Sequence, residues 1–109
     1  MKTRRVRALR PPLEKAIQSR IAKALKDLGF TVVQMSQPQR AVCTPGTPDL
    51  YARHQRLGRY WIEVKRPGKE PSPVQLAWHA DERACGGTVI VATSVADVLD
   101  GLRAAGVKL

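Results

Sequence analysis

"DLYARHQRLGRYWIEVK", residues 49–65, decides how this chain folds. Two β-prone runs, Asp49–Arg53 and Arg59–Lys65, flank the turn-forming "HQRLG", which is the pattern of an antiparallel hairpin. If the chain reverses near Arg56–Leu57, opposed residues carry numbers that sum to roughly 112–114, and Asp49 lands beside Glu63 or Lys65. Side chains alternate along a strand, so an even-numbered pairing puts Asp49, Glu63 and Lys65 on one face. A solvated sheet face accounts for an acid and a base two positions apart. A site that uses both explains why a strand otherwise built from Tyr60, Trp61, Ile62 and Val64 carries them. Two adjacent carboxylates repel, and a cation between them makes the arrangement stable.

Working outward, "TPGTP" before Asp49 supplies Gly46 for a close backbone approach and Pro48 to fix the entry angle of the strand. It ends a polar, turn-rich loop, "SQPQRAVCTPGTP". Upstream, "FTVVQM" predicts a strand over Phe30–Met35. Before it, apolar positions 13, 16–17, 21, 24–25 and 28 predict a helix opened by Pro11 and Pro12 and ended by Gly29. Downstream, Ser72 is placed to cap a helix from Pro73 to about Cys85, which Gly86 and Gly87 break. "TVIVA" reads as the fully apolar, buried centre of a sheet. Ser94 caps a last helix from Val95 to about Ala105, with Asp97 placed for a capping box. The order αβββαβα predicts an α/β domain over residues 13–109, a mixed sheet flanked by helices, preceded by a basic N-terminal arm over residues 1–12.

Charge narrows the partners. The 109 residues carry 19 Lys and Arg against nine Asp and Glu, a net charge of +10. That excess favours a polyanion, nucleic acid first, because neutralised phosphates release condensed counterions. No run approaches the ~18 apolar residues of a membrane span, so no membrane partner is expected. "MKTRRVRALRPP" leads into no apolar stretch and is not read as a secretory signal, which sets a cytoplasmic expectation. Cys43 and Cys85 form no CxxC pair, match no zinc spacing with His54 and His79, and read as reduced structural residues.

The candidate chemistry gathers on the hairpin. Hard oxygen ligands from Asp49 and Glu63 suit Mg²⁺ or Mn²⁺, and no small-molecule cofactor is called for. Lys65, a cation beside them, suits the positioning of an attacking water and the charge that grows on a phosphate. Glu14, in the first turn of the first helix, offers a third carboxylate, with Gln18 one turn later on the same face. Gln75 opens the second helix. Bland readings stand beside these: Glu14 complements a helix dipole, Gln75 holds the capping-box position of Ser72, and Gln18 is an ordinary exposed residue. Trp61 and Trp78 read as core, and His54 and His79 as uninvolved.

"GTPDLYA", "YWIEVKRPG" and "SPVQLAWH" resemble the motifs of the VRR-NUC family, within the PD-(D/E)XK nuclease superfamily. The resemblance runs from about Leu13 to Ala92. It places Asp49, Glu63-x-Lys65 and Gln75 at the family's pattern, with Glu14 at the helix glutamate. It implies a restriction-endonuclease-like fold and a metal-dependent nuclease that hydrolyses DNA phosphodiesters. It also implies a homodimer addressing branched DNA of Holliday-junction or flap type, in a phage-type or bacterial protein. On this reading Asp49 and Glu63 bind the metal with the Val64 carbonyl, while Glu14 binds directly or through water. Lys65 positions the water, Gln75 orients water or phosphate, and Gln18 supports from behind. Arg40, Arg53, Arg66 and Lys69 hold the DNA backbone. A non-catalytic DNA-binding module on the same fold is the alternative, and an RNA nuclease is a third possibility.

Overall fold

The hairpin turns where the sequence places it. In the computed structural model, which describes residues 13–35 and 44–109, β2 (Leu50–His54) and β3 (Gly58–Val64) pair antiparallel with Leu50 opposite Ile62. Opposed residue numbers therefore sum to 112, and Asp49 faces Glu63 rather than Lys65. β1 (Thr31–Gln34) adds antiparallel on one side of the hairpin, and β4 (Val89–Ala92) adds parallel on the other. The sheet order is β1-β2-β3-β4. Helix α1 (Leu13–Asp27) precedes β1, α2 (Pro73–Ala84) crosses from β3 to β4, and α3 (Val95–Ala104) follows β4. The order is the expected αβββαβα. The basic arm, Arg40 and Cys43 lie outside the described residues.

Alternation along the strands divides the labour between faces. Even-numbered Leu50, Ala52, Tyr60, Ile62, Val64, Ile90 and Ala92 form one floor of the core. Ile17, Ile21 and Leu25 of α1 and Val98 and Leu102 of α3 pack onto that face. Ile21, Leu50, Ile62 and Leu102 are wholly buried, so each truncation to Ala would cost about 2–5 kcal/mol. The helix α1 stops at a Schellman turn: Phe30 N–H reaches the Leu25 carbonyl and Gly29 N–H the Lys26 carbonyl, with Gly29 at φ +96°. Phe30 is buried, which seats β1 against the end of α1.

Two expectations are corrected. The apolar run "TVIVA" makes β4, but β4 is an edge strand among the described residues rather than the centre of the sheet. It is apolar because helices flank it: Val89, Ile90 and Ala92 are buried while Val91 is exposed. At α3 the capping box is not reciprocal. Ser94 Oγ accepts from Asp97 N–H as expected, but the Asp97 carboxylate accepts from the backbone and hydroxyl of Thr93 rather than from the Ser94 backbone N–H. Those donors hold the Asp97 carboxyl below the usual carboxylate range. No described helix is long and apolar enough to cross a membrane.

The candidate active site

The odd-numbered face of the sheet carries the site. Asp49 enters just ahead of β2, and its Oδ2 accepts from the Val64 N–H at 2.8 Å. In an extended strand a residue's N–H and C=O face the same neighbour, so the Val64 carbonyl opens toward Asp49 as well. Glu63 lies across from Asp49 and is only 1% exposed, which rules out a solvated sheet face. The two carboxyls hydrogen-bond to each other. Helix α2 covers Glu63 from above: Gln75 Nε2 donates to Glu63 Oε2 at 3.1 Å, and His79 Nε2 lies 3.0 Å from Glu63 Oε1.

The turn before Asp49 sets this geometry. Gly46 has φ +92°, and a β-carbon there would stand 2.6 Å from the Val74 carbonyl in the first turn of α2. Only a glycine lets the loop close against the helix that carries Gln75. Gln75 itself does two jobs at once. Its Oε1 accepts from Ser72 N–H at 2.8 Å while its N–H donates to Ser72 Oγ at 3.2 Å, which completes a capping box. Its Nε2 is then aimed at Glu63, with one amide hydrogen left over for a water or an oxygen.

Comparison with known proteins meets the chain at this point. No family model and no curated protein matches it. Among solved structures, a VRR_NUC domain superposes with a TM-score of 0.70 at 28% sequence identity, covering 84% of this chain and 95% of that one. In fold and in sequence this chain resembles that VRR_NUC domain. It has a nuclease-domain fold, and buried Glu63 with half-buried Asp49 sits on the face of the sheet that α2 covers.

The electrostatics of the site follow from burial. Burial, then the charge of Asp49 and the hydrogen bond to it, push the Glu63 carboxyl up to about 8. Burial also raises Asp49, against the Val64 N–H and the Glu63 hydrogen bond, which lower it. Glu63 therefore holds a proton at neutral pH when nothing else compensates the pair. Glu14 adds negative potential at both carboxyls, and Lys65 opposes it. Among the described residues no three His, Cys, Asp or Glu side chains converge closely enough to enclose an ion. The donor set is thus a pair of hard carboxylates with a main-chain carbonyl at its edge and Glu14 within electrostatic reach. That set, with a displaceable proton, fits a divalent cation that completes its shell with water.

His79 was read as uninvolved, and the structure puts it in contact with Glu63. The ring is 1% exposed, and burial first, then the cations Arg83 and Lys65, hold it below the usual imidazole range and keep it neutral. Its Nδ1 has no partner among the described residues, so its one hydrogen-bonding commitment is to Glu63. The signal was present in "QLAWH": Gln75 and His79 are four apart and share one helix face. His54, by contrast, does structural work, its Nδ1 accepting from Arg56 and Leu57 N–H in the hairpin turn.

The other candidates scatter. Gln18 ties α1 to β1, its Nε2 donating to Gln34 Oε1 at 2.6 Å. Arg66 and Lys69 are exposed in the turn after β3, one end of the site away from solvent-shielded Glu63. Arg53 lies opposite Arg59 at the other end of the hairpin, four residues along from Asp49 and about 13 Å distant. Leu50 is core, and Tyr51 is half-buried against Trp61.

Proposed function

We propose that this chain is a VRR-NUC-type, divalent-metal-dependent endonuclease that hydrolyses DNA phosphodiesters, acting on branched DNA as a homodimer. One observation carries the reading: a fully buried Glu63 carboxyl set against the half-buried Asp49 carboxyl, with Gln75 and His79 on its two oxygens. Burying such a pair is costly and gives the fold nothing that an apolar pair would not. The net charge of +10 supports a nucleic-acid substrate.

Asp49, Glu63 and the Val64 carbonyl, with Glu14 directly or through water, would hold Mg²⁺ or Mn²⁺, which supplies Lewis-acid stabilisation of the phosphate and makes water a better nucleophile. The protein's part is positioning. Val64 N–H fixes the Asp49 carboxylate, and Gln75 and His79 each take one oxygen of Glu63. Lys65, one position beyond β3 on the same face, orients the attacking water and stabilises charge on the non-bridging oxygens. Arg66 and Lys69 grip the flanking phosphates.

The test is cleavage of labelled four-way junction, flap and linear duplex DNA with Mg²⁺, Mn²⁺ or EDTA, using wild type and Lys65→Ala, with sedimentation to give the oligomeric state. Metal-dependent cutting that Lys65→Ala abolishes, with DNA affinity kept, supports the reading. Binding of every substrate with no cutting of any would overturn it in favour of a DNA-binding module.

A further inference from the structure

The odd-numbered face continues past the acidic pair in a regular order. Tyr51 lies opposite Trp61 and Arg53 opposite Arg59, so three cross-strand rows follow one another: carboxyl, aromatic, guanidinium. Successive rows stand two residues apart, about 7 Å along the strands. The Tyr51 and Trp61 rings are 4.6 Å apart. Trp61 is braced from the far side, with Trp78 edge-on at 4.9 Å and its Nε1 donating to Glu82 at 3.2 Å. Tyr51, Arg59 and Trp61 line a groove of about 520 Å³ that the Gly86–Thr88 turn borders. A wider cavity of about 860 Å³ continues it at the hairpin end, beside Arg53, Arg56 and Arg59.

The arginine row is unusual in itself. Like charges directly opposite each other across two strands destabilise the pairing. Among the described residues neither Arg53 nor Arg59 forms an ion pair. A polyanion laid across the row relieves that repulsion. Aromatic rings followed by cations, in line with a phosphate-cleaving site, are the two components of a single-strand binding groove, where bases stack and the backbone is neutralised. A duplex cannot use the aromatic row, because its base faces are already stacked inside.

We infer that this face is a track for unpaired DNA: bases stack on the Tyr51–Trp61 pair, Arg53 and Arg59 hold the phosphates beyond, and the scissile phosphate lies at Asp49–Glu63. The inference rests on the nuclease reading and names its substrate class, a strand with at least two unpaired nucleotides on one side of the cut.

Binding separates the two ideas, because it is measured in EDTA, where nothing is cut. The probes are fluorescein-labelled hexathymidylate and a blunt 16-base-pair duplex, read by anisotropy with wild type, Tyr51→Ala, Tyr51→Phe and the Arg53→Ala/Arg59→Ala double variant. Tyr51→Ala should weaken hexathymidylate binding roughly 5- to 150-fold and leave duplex binding within about twofold. Tyr51→Phe should bind like wild type. The double variant should lower the salt dependence of single-strand binding by about 1.4 in log–log slope. Since Trp61 and Trp78 are the only tryptophans, quenching of the wild-type fluorescence by hexathymidylate gives a readout that needs no variant. Equal losses on both probes, or no loss and no quenching, would overturn the track. So would a change of oligomeric state in Tyr51→Ala, which would make this face a subunit interface. If metal-dependent cutting of flap DNA with an unpaired strand persists at full rate in Tyr51→Ala, the nuclease reading stands and the track falls.

Discussion

Glu63→Gln should flatten the pH dependence of stability in the metal-free protein. The folded carboxyl titrates at about 8 against an ordinary 4.5, so between those values the folded state binds a proton that the unfolded state has released. Stability is then fully present below the unfolded value and declines as pH rises through the folded one. At about 1.36 kcal/mol per pH unit, the gap corresponds to roughly 5 kcal/mol at most, with raised Asp49 acting in the same direction. His79 acts oppositely. Its folded value is lowered, so its contribution is lost as pH falls below the ordinary imidazole range. Metal-free wild type should therefore be most stable at mildly acidic pH and weaken towards pH 9. Gln at 63 keeps the shape of the protonated acid and the contacts to Gln75 and His79, but has no proton to lose. Urea unfolding in EDTA across about pH 5 to 9 reads this directly, and Mn²⁺ added at pH 8 should restore much of the wild-type loss but little in the variant. A wild type whose stability is level or rising between pH 6 and 8.5, or a variant that tracks it, would refute the account of the carboxyl pair.

Lys65→Ala should abolish cleavage while DNA affinity, measured by anisotropy in EDTA, changes by less than about the tenfold expected of one lost phosphate contact. Gly46→Ala should cost about 1–3 kcal/mol in urea unfolding, because a β-carbon at φ +92° is strained and meets the Val74 carbonyl at 2.6 Å. It should also lower cutting by displacing α2, and full activity with unchanged stability would contradict the role given to that turn. His79→Ala should weaken Mn²⁺ binding by calorimetry roughly 10- to 100-fold, with His79→Gln, whose amide can also hydrogen-bond Glu63, recovering most of it.

The sequence carried most of the fold because its signals were local. Helical periodicity with Gly29, the "HQRLG" turn, and Ser72 and Ser94 as caps each act within a few residues, and each element formed within a residue or two of its expected ends. What was misread depends on distant packing. "TVIVA" is apolar whether it lies at the centre of a sheet or at an edge flanked by helices, and the strand order that decides this is a property of the crossover through α2. The Asp97 carboxylate takes the backbone N–H and hydroxyl of Thr93 rather than the Ser94 backbone N–H, a choice the spacing alone leaves open.

The site divides along the same line. Asp49, Glu63 and Lys65 were legible because period-two alternation and one turn bring them together, and only the choice between sums of 112 and 114 waited for the register. His79 and the aromatic row were not, since their meaning comes from α2 lying over the sheet. A histidine four residues after Gln75 is ordinary on any helix until that face is shown to cover Glu63. Trp61 likewise reads as core in the sequence, and it is only partly so: Trp78 and Glu82 brace it on the helix side while Tyr51 and the groove meet it on the other. The hairpin therefore specifies the site in one dimension and the helix completes it in the second. Gly46, whose backbone touches Val74, is where the two are joined, so a change at that glycine should disturb metal binding and folding together although it bears no functional group.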